Sequence, residues 1–151
     1  AAHLPVTLIG TAGLLEAYFL GIGLFVISLA LSAKFQLAKK LESLFAEVLT
    51  PISWPIIFLL ALSSSVSEEL LFRGAVQNQF GLVTASLLFG LIHFPVRKTM
   101  IPWTLMAILM GFLLGGIYIY AGHLLAPITL HFLINFLNIW AINQKYMQFT
   151  D

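Results

Sequence analysis

The sequence predicts an all-α fold: a polytopic transmembrane helical bundle of about five spans, with one interfacial amphipathic helix. Of its 151 residues, 60% are hydrophobic and only 9% are charged, whereas a soluble domain averages about one quarter charged residues. The mean hydropathy is +1.02, so lipid must be the solvent for most of the surface. Because no internal repeat or linker divides the chain, we treat residues 1–151 as a single membrane domain.

Five stretches meet or approach the roughly 20 apolar residues that a spanning helix needs. The first, from Val6 to Ala33, is too long for the core of a signal peptide, so we interpret it as a span although the chain begins at Ala1 rather than Met. The third stretch is the shortest. The five lie at about 5–33, 51–79, 81–96, 101–121 and 124–143.

The segment KFQLAKKLESLFAEVLTP, between the first two spans, has the pattern of an amphipathic helix. Leucines 37, 41 and 44 recur at helical spacing opposite Lys39 and Lys40. This predicts a helix that lies on the membrane rather than crossing it, with a soluble loop helix as the alternative. In the fourth span, Gly111 and Gly115 stand four apart, a spacing that lets helix backbones approach closely.

Five alternating spans place nearly all the cationic side chains on one side of the membrane, which the positive-inside rule makes cytoplasmic. We therefore expect an integral protein of a bacterial or archaeal cell membrane, with its N-terminus outside and its C-terminus in the cytoplasm. No basic run suggests nucleic acid, and the absence of cysteine excludes a thiolate metal site or a cysteine nucleophile. The segregated cations are Lys34, Lys39, Lys40, Arg97, Lys98 and Lys145.

Ionisable residues inside the predicted spans are the strongest functional signal, because each costs about 3 kcal/mol at mid-helix even on the lenient scale. Glu69 and Arg73 are four apart, so their side chains share a helix face and can pair, while Glu68 lies about 100° away. One glutamate is then neutralised and the other remains available as a general base. The residues alone do not say which, and a structural ion cluster explains them equally well. The ionisable residues are Glu16, Glu68, Glu69, Arg73, His93 and His131.

These groups are predicted to lie at a similar depth in the membrane. If the second helix turns at Phe80-Gly81, Glu68 lies about 12 residues before the turn and His93 about 12 after it, so both are roughly 18 Å from it. His131 lies nine residues beyond Gly122, roughly 13 Å deep by the same rise. All the buried ionisable groups, with Glu16 unresolved, therefore converge on one layer.

The fifth span carries a polar stripe formed by His131, Asn135 and Asn138. Polar stripes often join helices, and we assign that role to Asn138. His131 and Asn135 are better placed to donate to a developing oxyanion.

These motifs together resemble the CPBP family of glutamate-type intramembrane proteases, which includes CAAX prenyl endopeptidases and Abi proteins. The resemblance covers about residues 51–140, which we take as the catalytic core. The chain is shorter than typical members of that family. The family signature EExxxR, FxxxH and HxxxN reads here as Glu68-Glu69-x-x-x-Arg73, Phe89-x-x-x-His93 and His131-x-x-x-Asn135.

The resemblance implies an intramembrane endopeptidase in which Glu68 and His93 activate a water for attack on a peptide carbonyl. His131 and Asn135 then stabilise the oxyanion, and Glu69 and Arg73 orient the site. The implied partners are the lipid bilayer and a peptide or protein substrate, with or without a lipid modification or membrane anchor. Phe89 is expected to line the cavity.

Two further questions stay open at this point. We expect no metal cofactor, but Glu68, Glu69, His93 and His131 are the alternative ligands for a divalent cation such as zinc. The competing functions are a noncatalytic scaffold or immunity protein of the same fold and, less favoured, a proton-coupled transporter.

Overall fold

The computed structural model describes residues 10–93 and 100–147, and these form helices without any strand. Within these residues, four helical runs are long and apolar enough to cross a membrane. One of them, the 39-residue run Trp54–Ile92, covers the second and third predicted spans and folds back on itself at Gly81. The elements in chain order are α1 (Leu14–Lys34), α2 (Gln36–Leu49), α3 (Trp54–Glu69), a π-helical segment (Leu70–Gln77), α4 (Asn78–Ile92), α5 (Ile101–Ala121) and α6 (Leu125–Met147).

The predicted turn at Phe80-Gly81 is confirmed. Gly81 has φ 84° and ψ 169°, a conformation that is strained for any residue with a Cβ. The chain reverses there, so the rest of α4 packs against the π-helical segment and the Phe72 and Phe89 rings meet at 5.1 Å. This hairpin brings the first and second motifs together.

Three predicted boundaries need correction. The first span begins at Leu14, after a left-handed Gly13, and residues 1–9 lie outside the described residues. The third span ends at Ile92, so His93 caps its helix instead of lying within it. The last span continues to Met147, beyond the predicted residue 143, because Asn143 and Lys145 find partners in neighbouring elements.

The helix α2 is observed where the amphipathic pattern predicted it. Glu42 pairs with Lys145 at 2.6 Å, and the Phe45 ring meets Trp103 at 4.9 Å. These contacts place α2 beside the C-terminal end of α6 and the N-terminal end of α5. Lys34, the last residue of α1, is separated from α2 by Phe35 alone, whereas Arg97 and Lys98 lie outside the described residues.

Large apolar side chains cover the outside of the bundle, as expected for an integral membrane protein. Phe19 is 68% exposed, Val83 59% and Leu109 61%. Small residues occupy many of the buried positions, beside a few large apolar side chains. A Cβ on Gly111 would lie 2.9 Å from the Cα of Ser86, so the small-residue pair of α5 is a packing device, as predicted.

This contact predicts that Gly111→Ala destabilises the protein. The added methyl would press on the backbone of α4, and such overpacking costs about 1–3 kcal/mol. Thermal unfolding in detergent, followed by circular dichroism, measures the effect. The matched control is Gly116→Ala, because a Cβ there meets nothing within 4 Å. Equal melting temperatures for the two variants would contradict the packing role of Gly111.

Candidate active site

A buried ion pair lies at the centre of the bundle, where α3 ends. Arg73 Nη1 donates to Glu69 Oε1 at 3.0 Å, and the two side chains are only 1% and 0% exposed. Arg73 Nη2 donates to the Gly111 carbonyl of α5 at 2.9 Å. The predicted pairing is confirmed. It neutralises Glu69 and ties the hairpin to α5.

The turn that carries Arg73 is π-helical, which the sequence did not predict. The π-helical segment has eight residues; this wide helical geometry is rare, and where it occurs it is frequently at a functional site. Gln77, at the end of the segment, donates to the Gly115 carbonyl at 3.0 Å. Arg73 and Gln77 therefore both bind carbonyl oxygens of the glycine pair of α5.

His131 reaches the same carboxylate from α6. Its Nδ1 lies 2.8 Å from Glu69 Oε1. A carboxylate paired with a guanidinium accepts hydrogen bonds and does not donate them, so His131 Nδ1 carries the proton. The opposite ring nitrogen, Nε2, then faces Glu68.

His93 is oriented by the end of its own helix. Its backbone N–H donates to the Gly90 carbonyl at 3.1 Å. Gly90 lies three residues back and not four, so this turn is tighter than an α-helical one. The Phe89 carbonyl is then available to the imidazole, whose Nδ1 lies 2.7 Å away. Because a carbonyl only accepts, Nδ1 carries the proton, and in the neutral ring Nε2 is left with its lone pair. Thr104 Oγ1 of α5 donates to the His93 carbonyl at 3.0 Å.

Glu68 lies opposite both imidazoles. Its Oε2 is 3.9 Å from His93 Nε2 and 4.0 Å from His131 Nε2, and it finds no hydrogen-bond partner within residues 10–93 and 100–147. These separations are too long for direct hydrogen bonds but suit a bridging water. The side chain of Glu68 is 23% exposed and that of His93 is 20% exposed, whereas Glu69 is fully buried.

The Phe89 ring forms one wall of the cluster. Arg73 Cζ lies 4.8 Å from the ring centroid, and the centroids of His93 and His131 lie 4.8 Å and 5.9 Å from it. The ring thus covers the guanidinium by a cation–π contact and excludes water from one side of the ion pair.

Of the predicted site residues, Glu68, Glu69, Arg73, His93 and His131 meet in one cluster. Asn135 lies one helical turn further along α6 and donates from Nδ2 to Ser64 Oγ at 3.1 Å. Asn138 joins α6 to α1, since Ser28 Oγ donates to its Oδ1 at 2.5 Å, which confirms its predicted role.

Glu16 lies outside this cluster. It is exposed in the first turn of α1 and accepts a hydrogen bond from Tyr120 Oη at 3.2 Å. The sequence left the role of Glu16 open; the residue lies within the first span, as predicted, but in its first turn.

Two histidines and one carboxylate form a donor set that suits zinc chemically. However, adjacent ligands of a tetrahedral zinc ion, with bonds of about 2.1 Å, lie about 3.4 Å apart, and the Glu68 oxygen is 3.9 Å and 4.0 Å from the imidazole nitrogens. Glu69 is already bound by Arg73. Within the described part of the chain, no group of three His, Asp or Glu side chains is spaced to hold a metal ion.

Sequence reasoning missed Ser64 and Thr104, which hold Asn135 and His93. Ser64 precedes Glu68 by one helical turn, so its place on the same face could have indicated it. Thr104 gave no such signal, because it binds a backbone atom.

The buried pair yields a prediction about stability. Arg73→Met leaves the Glu69 charge without its guanidinium partner, which costs about 3–5 kcal/mol at a buried site. Adding Glu69→Gln removes that charge and should recover part of the loss. Thermal unfolding of both variants in detergent tests this. If the double variant is no more stable than Arg73→Met, the uncompensated charge of Glu69 is not the cause of the loss.

Comparison with known proteins identifies the same part of the chain. A sequence profile described as "Type II CAAX prenyl endopeptidase Rce1-like" matches residues 50–137, a range that contains all the clustered side chains. The uncharacterized protein YpbD of Bacillus subtilis is 42% identical over 85 residues, which are 55% of this chain and 43% of YpbD. The chain thus matches less than half the length of that relative, and no solved structure matches. By its sequence profile, the chain belongs to the Rce1-like family of type II CAAX prenyl endopeptidases.

Proposed function

We propose that this protein is an intramembrane endopeptidase that hydrolyses a peptide bond with a water activated by Glu68 and His93. One observation carries the proposal: a buried glutamate oxygen without a hydrogen-bond partner among the described residues faces the Nε2 atoms of two imidazoles at 3.9 Å and 4.0 Å, among helices that span the membrane. A carboxylate and an imidazole at that spacing can hold one water between them.

In this mechanism Glu68 is the general base and His93 orients the water. The His93 Nδ1 proton is held by the Phe89 carbonyl, so Nε2 accepts one hydrogen of the water while Glu68 takes the other. The resulting hydroxide attacks the peptide carbonyl. Protonated Glu68 then returns its proton to the leaving amine, which completes the hydrolysis.

His131 and Asn135 are proposed to stabilise the oxyanion. For His131 to donate from Nε2 it must carry both ring protons, with its Nδ1–H bonded to the Glu69 carboxylate at 2.8 Å. Asn135 has a second amide N–H besides the one given to Ser64. Donors fixed before the reaction are the effective ones, because no reorganisation is needed when charge develops.

The proposed substrate is a membrane-associated peptide or protein, with or without a lipid modification or membrane anchor. The family description, CAAX prenyl endopeptidase, makes a prenylated C-terminal peptide the first probe. We further propose a bacterial or archaeal cell membrane, an outside N-terminus and a cytoplasmic C-terminus. The contact between Glu42 and Lys145, which joins α2 to the end of α6, supports one common side for these charges.

Replacement of the two activating groups tests the mechanism. We expect Glu68→Gln and His93→Ala to lower cleavage of a quenched fluorescent farnesylated CAAX peptide in liposomes by about a hundredfold or more. The melting temperature should change little, because both side chains are partly exposed. The matched control is Glu16→Gln, which changes an exposed carboxylate outside the cluster.

Wild-type cleavage by Glu68→Gln would overturn this assignment. If the wild-type protein leaves the probe intact, membrane peptides from cells with wild-type protein and with Glu68→Gln should be compared. A peptide that accumulates only with the variant identifies the substrate. Identical peptide sets would instead favour the scaffold function.

A further inference from the structure

The hydrogen bond between Ser64 and Asn135 joins α3 to α6 beside the proposed catalytic groups. Ser64 lies one turn before Glu68, and Asn135 one turn after His131. Since α3 and α6 run in opposite directions, the two residues form a layer directly next to the Glu68 and His131 layer. Asn135 Nδ2 donates to Ser64 Oγ at 3.1 Å.

The direction of this bond is set by the rest of α3. Ser64 Oγ donates its only proton to the Ala61 carbonyl at 3.2 Å, so towards Asn135 it can only accept. If the carboxamide were reversed, its oxygen would face the serine oxygen, and Ser64 would have to give up the Ala61 bond. Ser64 therefore selects the orientation in which the NH2 group of Asn135 faces α3, the helix that carries Glu68.

The neighbouring serines provide a contrast. Ser63, Ser65 and Ser67 donate to carbonyls of their own helix at Leu60, Leu62 and Ser63. Ser63 and Ser67 are exposed, and Ser65 is buried. Ser64 shares this bond to its own helix and, in addition, accepts the amide of α6.

We propose that Ser64 is a positioning residue for the reaction: its Oγ holds one N–H of Asn135, so that the second N–H is presented to the oxyanion. The inference rests on the proposed function, because it assumes that Asn135 donates to the reacting carbonyl. It adds a residue outside the three sequence motifs. Ser64 acts through Asn135 and does not touch the substrate.

Kinetics with the farnesylated CAAX peptide in liposomes test the role. We expect Ser64→Ala to lower kcat by about tenfold or more, since a misoriented oxyanion donor loses much of its effect, and to leave KM within about twofold. Ser64→Thr keeps a hydroxyl and should retain most of kcat. Ser63→Ala is the matched control and should behave as wild type.

The same change made in the Asn135→Ala variant distinguishes a positioning role of Ser64 from a packing role. In Asn135→Ala, the added Ser64→Ala change should lower kcat no further, because its only target is gone. An equal further loss of kcat in the double variant would overturn the positioning role. So would an unchanged kcat in Ser64→Ala alone while Glu68→Gln is inactive. Either result would leave the proposed function intact.

A spectroscopic readout is independent of activity. The chain has four asparagines, so selective nitrogen-15 labelling gives few side-chain amide signals, and Asn135→Ala identifies one of them. Ser64→Ala should shift the Asn135 signal, whereas Ser63→Ala should not. An unmoved Asn135 signal in Ser64→Ala would contradict the proposal even if the probe is never cleaved.

Discussion

The buried pair of Glu69 and Arg73 is the interaction on which the site depends. Both side chains are almost fully enclosed, and a charge left alone there would be costly. Arg73 also binds the α5 backbone, and Glu69 also binds His131 of α6. One ion pair thus fixes the relation between the hairpin, α5 and α6. Because Glu69 is occupied in this way, its neighbour Glu68 is the carboxylate left to face the imidazoles.

The histidines illustrate how backbone geometry prepares a polar site among apolar helices. The last turn of α4 tightens, and this frees the Phe89 carbonyl to hold the His93 ring. The first residue of the FxxxH motif therefore contributes twice: its carbonyl fixes the imidazole, and its ring covers Arg73. Side chains held by the backbone need no reorganisation during a reaction, which is the property that catalysis in a dry site requires.

Much of this arrangement could be predicted from the sequence. Hydropathy gave the spans, Gly81 marked the turn, and equal depth brought Glu68, His93 and His131 together. The rest depended on tertiary contacts without a local signature. The π-helical turn at Arg73, the early end of α4 at His93 and the bond from Thr104 all involve backbone atoms, which no residue pattern encodes. The choice between Glu68 and Glu69 also needed the structure, because only packing decides which carboxylate Arg73 and His131 enclose.

The central claim is that Glu68 activates a water and does not itself attack the peptide. A single turnover of the farnesylated CAAX peptide in water enriched in oxygen-18, followed by mass spectrometry of product and protein, tests it most directly. The account predicts that the new peptide carboxylate carries the label and that Glu68 carries none. Label in Glu68, with an unlabelled carboxylate in the first product, would show a covalent glutamyl intermediate and contradict the account.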